Sequence, residues 1–167
     1  MKSFAILALI AGSAFAAPAS SGCADAAAAA GNGTLTGDSC TAARTQLVDG
    51  IQANLDIQAQ ELKGIECLQK EVGTAKFKAE QTSVLAIQQK GIDIRAKNQQ
   101  LAKEINSPAA AGLNIVAGAQ VKEMMQVMSL TGTAEADDAT LKTLVQEVQD
   151  GTKQNQKNLA DAKSTKC

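Results

Sequence analysis

From residue 41 onward, apolar and permissive side chains recur at alternating steps of three and four residues, the spacing of one helical face. No segment of convincing length shows the strict alternation that is typical of a strand. The chain is therefore predicted to be all-α. The first helical series comprises Val48, Ile51, Leu55, Gln58, Leu62, Ile65, Gln69 and Val72, and the second comprises Phe77, Glu80, Val84, Ile87, Gly91, Ile94, Asn98, Leu101 and Ile105.

The two series do not share one straight helical face. The step from Val72 to Phe77 is neither three nor four residues, and Gly73 lies between them. One uninterrupted helix over residues 41–106 would be about 100 Å long at the helical rise. We therefore predict a hairpin at Gly73, the alternative being a single kinked helix.

Two further helices are indicated beyond this hairpin. Ser107 can cap a helix and Pro108 suits its first position, so a third helix is predicted from there to about Leu130. After Thr131-Gly132-Thr133, a fourth helix is predicted to end near Lys163. Long helices joined by short turns predict an antiparallel up-down helical bundle of about four helices.

The N-terminal residues have the three parts of a secretory signal peptide. Lys2 is basic, residues 4–11 are apolar, and small residues end at Ala16, so cleavage is predicted before Ala17. The apolar run is shorter than the roughly 20 residues of a membrane-spanning helix, which disfavours an N-terminal anchor. We expect a signal peptide at 1–16, a low-complexity arm at 17–39, and a bundle domain at 40–167. The processed protein is predicted to be secreted and extracellular.

The chain has four cysteines, Cys23, Cys40, Cys67 and Cys167. An even number behind a signal peptide predicts two disulfides, whereas zinc is disfavoured because no C-x-x-C pair and no histidine is present. In an up-down bundle Cys40 and Cys167 lie at the same end, and Cys67 lies about 40 Å further along the first helix. The predicted pairs are therefore Cys40–Cys167 and Cys23–Cys67.

Composition disfavours several classes of function. There is no His, Trp or Tyr, and Phe77 is the only aromatic residue after the predicted signal peptide. The sequence therefore disfavours catalysis by histidine and the stacking of nucleic-acid bases on aromatic side chains. Acidic and basic residues are nearly balanced and interspersed, which disfavours nucleic-acid binding. We therefore expect no enzyme, no cofactor and no metal site; carboxylates such as Glu61 and Glu66 are expected on helix surfaces.

Two features could contribute to interactions. Asn32-Gly33-Thr34 is an N-glycosylation sequon, so Asn32 is a candidate glycosylation site. Met124, Met125 and Met128, together with Val121 and Val127, form an apolar cluster on the third helix. We interpret these residues as gap-fillers of a core that lacks aromatics; the alternative is an adaptable apolar contact surface.

The leader residues 1–8 and 16–19, followed by the arm and a helical domain that ends on its last cysteine, resemble small secreted cysteine-containing proteins of filamentous fungi. This resemblance of layout implies a candidate effector or cell-surface protein. Its partner would be a host protein or a cell-wall component, and no functional residue is transferred.

The chain is also similar, more weakly, to fungal helical hydrophobic-surface-binding proteins, which usually lack this cysteine set. The alternative function is therefore a bundle that binds lipid or apolar surfaces by opening its helices, using the Met/Val face of the third helix.

Overall fold

The computed structural model describes residues 34–167, which form a helical bundle without strands in this part of the chain. The all-α prediction is confirmed. The predicted signal peptide, Cys23 and the sequon at Asn32 lie outside the described residues. The helices are α1 (Gly37–Glu71), α2 (Phe77–Glu104), α3 (Ala110–Ser129) and α4 (Ala134–Lys163).

The turns place successive helices antiparallel. Gly73 ends α1 with a φ of 79°, a left-handed conformation that glycine adopts without steric cost, so the predicted hairpin is confirmed. Its N–H donates to the carbonyl of Gly132 over 2.8 Å, which joins the α1–α2 turn to the α3–α4 turn. Both turns therefore lie at one end of the bundle, the hairpin end.

The opposite end carries the disulfide. Cys40 in the first turn of α1 is bonded to Cys167, 127 residues later, with an S–S distance of 2.06 Å. The predicted Cys40–Cys167 pair is confirmed. Cys67 is exposed and has no disulfide partner within residues 34–167, so its predicted bond to Cys23 stays a prediction.

The helices form a ring in which each one packs against two neighbours. α1 packs on α2 and α4, and α3 packs on the same two helices from the opposite side. Two apolar clusters fill the ends of the bundle. The disulfide-end cluster includes Cys40, Leu47, Ile51 and Leu113. The hairpin-end cluster includes Ile65, Leu68, Phe77, Val84, Val127 and Leu144.

The predicted inward face of α1 is correct at every second position. Ile51, Gln58 and Ile65 are buried as expected. At the intervening positions the prediction is one residue off, because Asn54 and Glu61 are each 1 % exposed whereas Leu55 and Leu62 are only partly buried. Gln69 was expected inside and is exposed, with Leu68 buried in its place.

The same displacement occurs on α2. Gln88 and Arg95 are buried where Ile87 and Ile94 were predicted, and those isoleucines lie at half-buried flanking positions. The inward positions of all the described helices keep the three-and-four spacing of a coiled-coil seam. In the middle of the bundle, polar residues occupy that seam.

Candidate functional site

The outer side of α3 carries an exposed apolar stripe. Among residues 34–167, the exposed large hydrophobic side chains are Ile115, Val121, Met125 and Met128, which are 64, 54, 66 and 64 % exposed. With the exposed Gly118 between the first two, they are separated by steps of three or four residues and therefore lie on one helical face. From Ile115 to Met128 this face is about 20 Å long. We call these four side chains the α3 apolar face.

The gap-filling interpretation of the methionine cluster is wrong for most of its members. Val121, Met125 and Met128 are exposed, and Met124 is partly buried. The physical reason lies on the other side of the helix, where Gln120 and Glu123 occupy the inward positions. Their neighbours in sequence are consequently turned towards solvent.

The α3 apolar face has few charges near it. α3 contains two ionisable residues, Lys122 and Glu123, and Glu123 is buried. Lys122 is paired with Glu147 of α4, with 2.6 Å between Nζ and Oε1. Beside this pair, a groove of about 360 Å³ between α3 and α4 continues the apolar surface at Ile115 and Ala119.

Beneath α3, the middle of the bundle is polar. Most buried side chains between the two apolar clusters carry amides, carboxyls or a guanidinium, and they come from all the described helices; Ile57 and Val116 are buried apolar residues that belong to neither cluster. We call them the polar belt. Its members are Asn54, Gln58 and Glu61 of α1, Gln88 and Arg95 of α2, Gln120 and Glu123 of α3, and Asn155 and Asn158 of α4.

A hydrogen-bond network in the polar belt links α1, α2 and α4. The Oδ1 atom of Asn54 accepts hydrogen bonds from Arg95 Nη2 over 2.6 Å and from Asn155 Nδ2 over 3.0 Å. Asn155 Nδ2 also donates to Gln58 Oε1 over 2.9 Å, and Asn54 Nδ2 donates to the carbonyl of Gly91 over 2.9 Å. These three helices are thus cross-linked by well-formed polar contacts.

The contribution of α3 to the polar belt is much weaker. Gln120 Nε2 donates to the carbonyl of Gln88 over 3.5 Å, at the limit of a hydrogen bond, and Gln120 Oε1 is buried without a partner. Glu123 makes no side-chain hydrogen bond to another residue in the described part of the chain. Gln88 Oε1 and two nitrogens of Arg95, Nε and Nη1, are also buried and unpartnered.

Burial determines the ionisation of the acidic residues in the polar belt. Burial, helped by the nearby Glu61 carboxyl and opposed by the charge of Arg95, raises the pKa of Glu123 to about 8. Burial also raises the pKa of Glu61, against the hydrogen bond from Gln88 and the charge of Arg95. The expectation that Glu61 lies on a helix surface is therefore wrong; Glu66 is exposed as expected.

The sequence contained a signal for the polar belt, which was missed because the inward face was chosen by its apolar residues. Asn54, Gln58 and Glu61 continue the spacing of the buried residues on either side of them in α1. Gln120 and Glu123 do the same between Val116 and Val127 of α3. A seam traced by spacing alone would have passed through these amides and carboxyls.

Within residues 34–167, no group of three or more His, Cys, Asp or Glu side chains is placed to hold a metal ion. None of the helices in the described range combines the length and apolar character needed to cross a membrane. Comparisons with protein-family models, with curated proteins and with solved structures find no match to this chain.

Proposed function

We propose that this protein is a secreted, non-enzymatic protein that adsorbs to neutral apolar surfaces through the α3 apolar face. One observation carries the proposal: the exposed large hydrophobic side chains of the described residues are all on one side of one helix. Scattered exposed hydrophobic residues are normal, whereas a contiguous group points to an interaction site.

The shape of the α3 apolar face favours a flat surface over a protein partner. It is a ridge on one helix, and the largest exposed apolar patch of a monomeric protein typically has an area of roughly 300–600 Å². Stable protein interfaces bury about 800 Å² on each partner and need matching shapes. A flat apolar phase needs no matching shape, and flexible methionine side chains adapt readily to it.

The charge around the α3 apolar face favours a neutral surface. Clusters of four to eight basic residues are typical of proteins that bind anionic lipid. α3 offers Lys122 alone, and Glu147 neutralises it. The attraction would therefore come from apolar burial, with little dependence on salt.

The size of this attraction can be worked from the exposed fractions. Burying a whole Val, Ile or Met side chain contributes about 1.5–3 kcal/mol, so each half-exposed member would contribute about 1–2 kcal/mol. The four together give roughly 4–8 kcal/mol before the cost of immobilising the protein. That is enough for weak, reversible adsorption.

The cellular context of the proposal comes from the sequence and the disulfide. Disulfides persist in oxidising compartments, and the Cys40–Cys167 bond is consistent with the predicted secretory leader. On the layout resemblance to fungal secreted proteins, the apolar surface would belong to a host interface or to a cell wall.

Retention on octyl-agarose tests the proposal directly. The triple variant Val121→Gln/Met125→Gln/Met128→Gln should lose at least about tenfold in retention, because each tenfold corresponds to about 1.4 kcal/mol. The matched control is Ala86→Gln/Ala96→Gln/Ala139→Gln, which places the same side chain at exposed positions of α2 and α4.

The control should be retained like the wild-type protein, and far-UV circular dichroism should show equal helicity for all three proteins. Equal retention of the triple variant and the wild type would refute adsorption through this face. The host-protein partner expected from the sequence would then be preferred.

A further inference from the structure

We propose that α3 separates from the other helices when the protein adsorbs, and that the bundle opens at the polar belt. The apolar phase would then contact the apolar inner side chains near the ends of α3 as well as its outer face, while the polar side chains in its middle meet water. This separation rests on the proposed function, because it follows adsorption through the α3 apolar face.

The inner side of α3 is poorly held in the middle of the helix. Its buried residues are Leu113 and Val116 near one end, Val127 near the other, and Gln120 and Glu123 between them. Gln120 makes one 3.5 Å hydrogen bond, to the Gln88 carbonyl, and the Glu123 side chain makes none to another residue in the described range. Separation would return the buried, unpartnered Oε1 atom of Gln120 to water, which removes the cost of keeping it buried.

The remaining helices do not depend on α3 for their connection. The Cys40–Cys167 bond joins the start of α1 to the residues after α4. The Nη1 atom of Arg44 donates to the Thr165 carbonyl over 3.0 Å at the same end. The network around Asn54 joins α1 to α2 and α4 without using any α3 side chain.

The polar contacts that α3 would lose include the Lys122–Glu147 pair in its middle and others near its ends. Gln81 Nε2 donates to the carbonyls of Val127 and Leu130 at 2.6 and 3.1 Å. Gln99 Nε2 donates to Asn114 Oδ1 over 2.7 Å in an exposed position. The exposed Gln99 and Lys122 contacts can exchange their partners for water at modest net cost, whereas the buried Gln81 hydrogen bonds oppose opening at the hairpin end.

Separation would uncover apolar side chains at both ends of α3. Leu113 leaves the disulfide-end cluster, and Val127 and Leu130 leave the hairpin-end cluster. In water this exposure opposes opening, whereas an apolar phase would accept those side chains. Opening is therefore coupled to adsorption, since the apolar phase binds the open state better than the closed one.

Hydrogen exchange with mass spectrometry tests this separation on the full protein with its disulfide intact. The probe is octyl-coated silica beads, with the protein in solution as the reference. Backbone amides of residues 116–127 should exchange at least about tenfold faster on the beads. Amides of residues 40–54 and 155–162, which belong to the connected helices, should keep their protection.

A double variant tests the role of the polar belt. Gln120→Leu/Glu123→Leu keeps the α3 apolar face and replaces the two polar contacts with apolar ones, so it should adsorb while residues 116–127 stay protected. The control is Asn98→Leu, another buried amide of α2, whose Oδ1 atom faces Gly50 of α1. Its α3 amides should behave on the beads like those of the wild type.

The outcomes distinguish this inference from the proposed function. If the wild type adsorbs and residues 116–127 stay protected, separation of α3 is wrong while adsorption stands. Exchange in the double variant as fast as in the wild type would show that the polar belt is not the point of separation. No adsorption of the wild type would overturn both, and that measurement does not depend on the folding of any variant.

Discussion

Glu123 makes the stability of this bundle dependent on pH in a direction that can be measured. Its side chain is 5 % exposed, and burial raises its pKa from 4.5 to about 8. The charged groups that face it are Glu61 of α1, Arg95 of α2 and Glu147 of α4, together with Lys122 on its own helix. The informative perturbation is Glu123→Gln, which keeps the shape of the neutral acid and removes its titration.

The sign follows from proton binding. Between pH 4.5 and about 8, the folded protein keeps the proton on Glu123 while the unfolded chain has released it. The free energy of unfolding therefore falls as the pH rises across that window. The contribution of Glu123 is fully present below pH 4.5 and is lost above about pH 8, and it is on the order of 5 kcal/mol at about 1.4 kcal/mol per pKa unit.

Urea unfolding at pH 5, 7 and 9 measures this effect. Circular dichroism at 222 nm is the suitable signal, because the chain has no Trp or Tyr for fluorescence. Glu123→Gln and the wild type should differ by less than about 1 kcal/mol at pH 5, since both side chains are then neutral. At pH 9 the variant should be more stable by on the order of 5 kcal/mol.

The control for this prediction is Glu66→Gln, at an exposed position of α1. Its unfolding free energy should follow that of the wild type at every pH. If Glu123→Gln also runs parallel to the wild type from pH 5 to 9, Glu123 does not titrate as a buried acid, and the account of the polar belt given above is wrong.

Two further predictions concern packing and the disulfide. A Cβ at Gly64 would lie 2.7 Å from Cγ2 of the buried, β-branched Val84, so Gly64→Ala should lower the unfolding free energy by about 1–3 kcal/mol. Gly118→Ala, whose Cβ meets open space, should raise it by up to about 1 kcal/mol. Urea midpoints that move in the same direction would contradict this. Cys167→Ser removes a disulfide between residues that are 127 apart in the sequence. It should lower the free energy of unfolding by about 2–5 kcal/mol, measured by urea unfolding without reductant. An unchanged midpoint would show that the disulfide does not constrain the unfolded chain.

Much of the fold could be predicted because it depends on local or additive quantities. The break at Gly73 was visible as a change of spacing next to a residue that accepts positive φ. The Cys40–Cys167 pair followed from helix lengths and an even number of antiparallel helices. The apolar ends of the bundle were likewise predictable, since Ile51 and Ile65 belong both to the predicted inward series and to the observed one.

The sequence by itself thus determined the helices, their antiparallel order and one disulfide, because periodicity, turn chemistry and helical rise act along the chain. Only the tertiary structure decided which of two adjacent residues faces inward. Asn54 is buried in preference to Leu55 because its oxygen meets Arg95 and Asn155, which are 41 and 101 residues away. Those long-range contacts define the polar belt. With Gln120 turned inward on α3, the neighbouring apolar side chains face solvent and form the α3 apolar face.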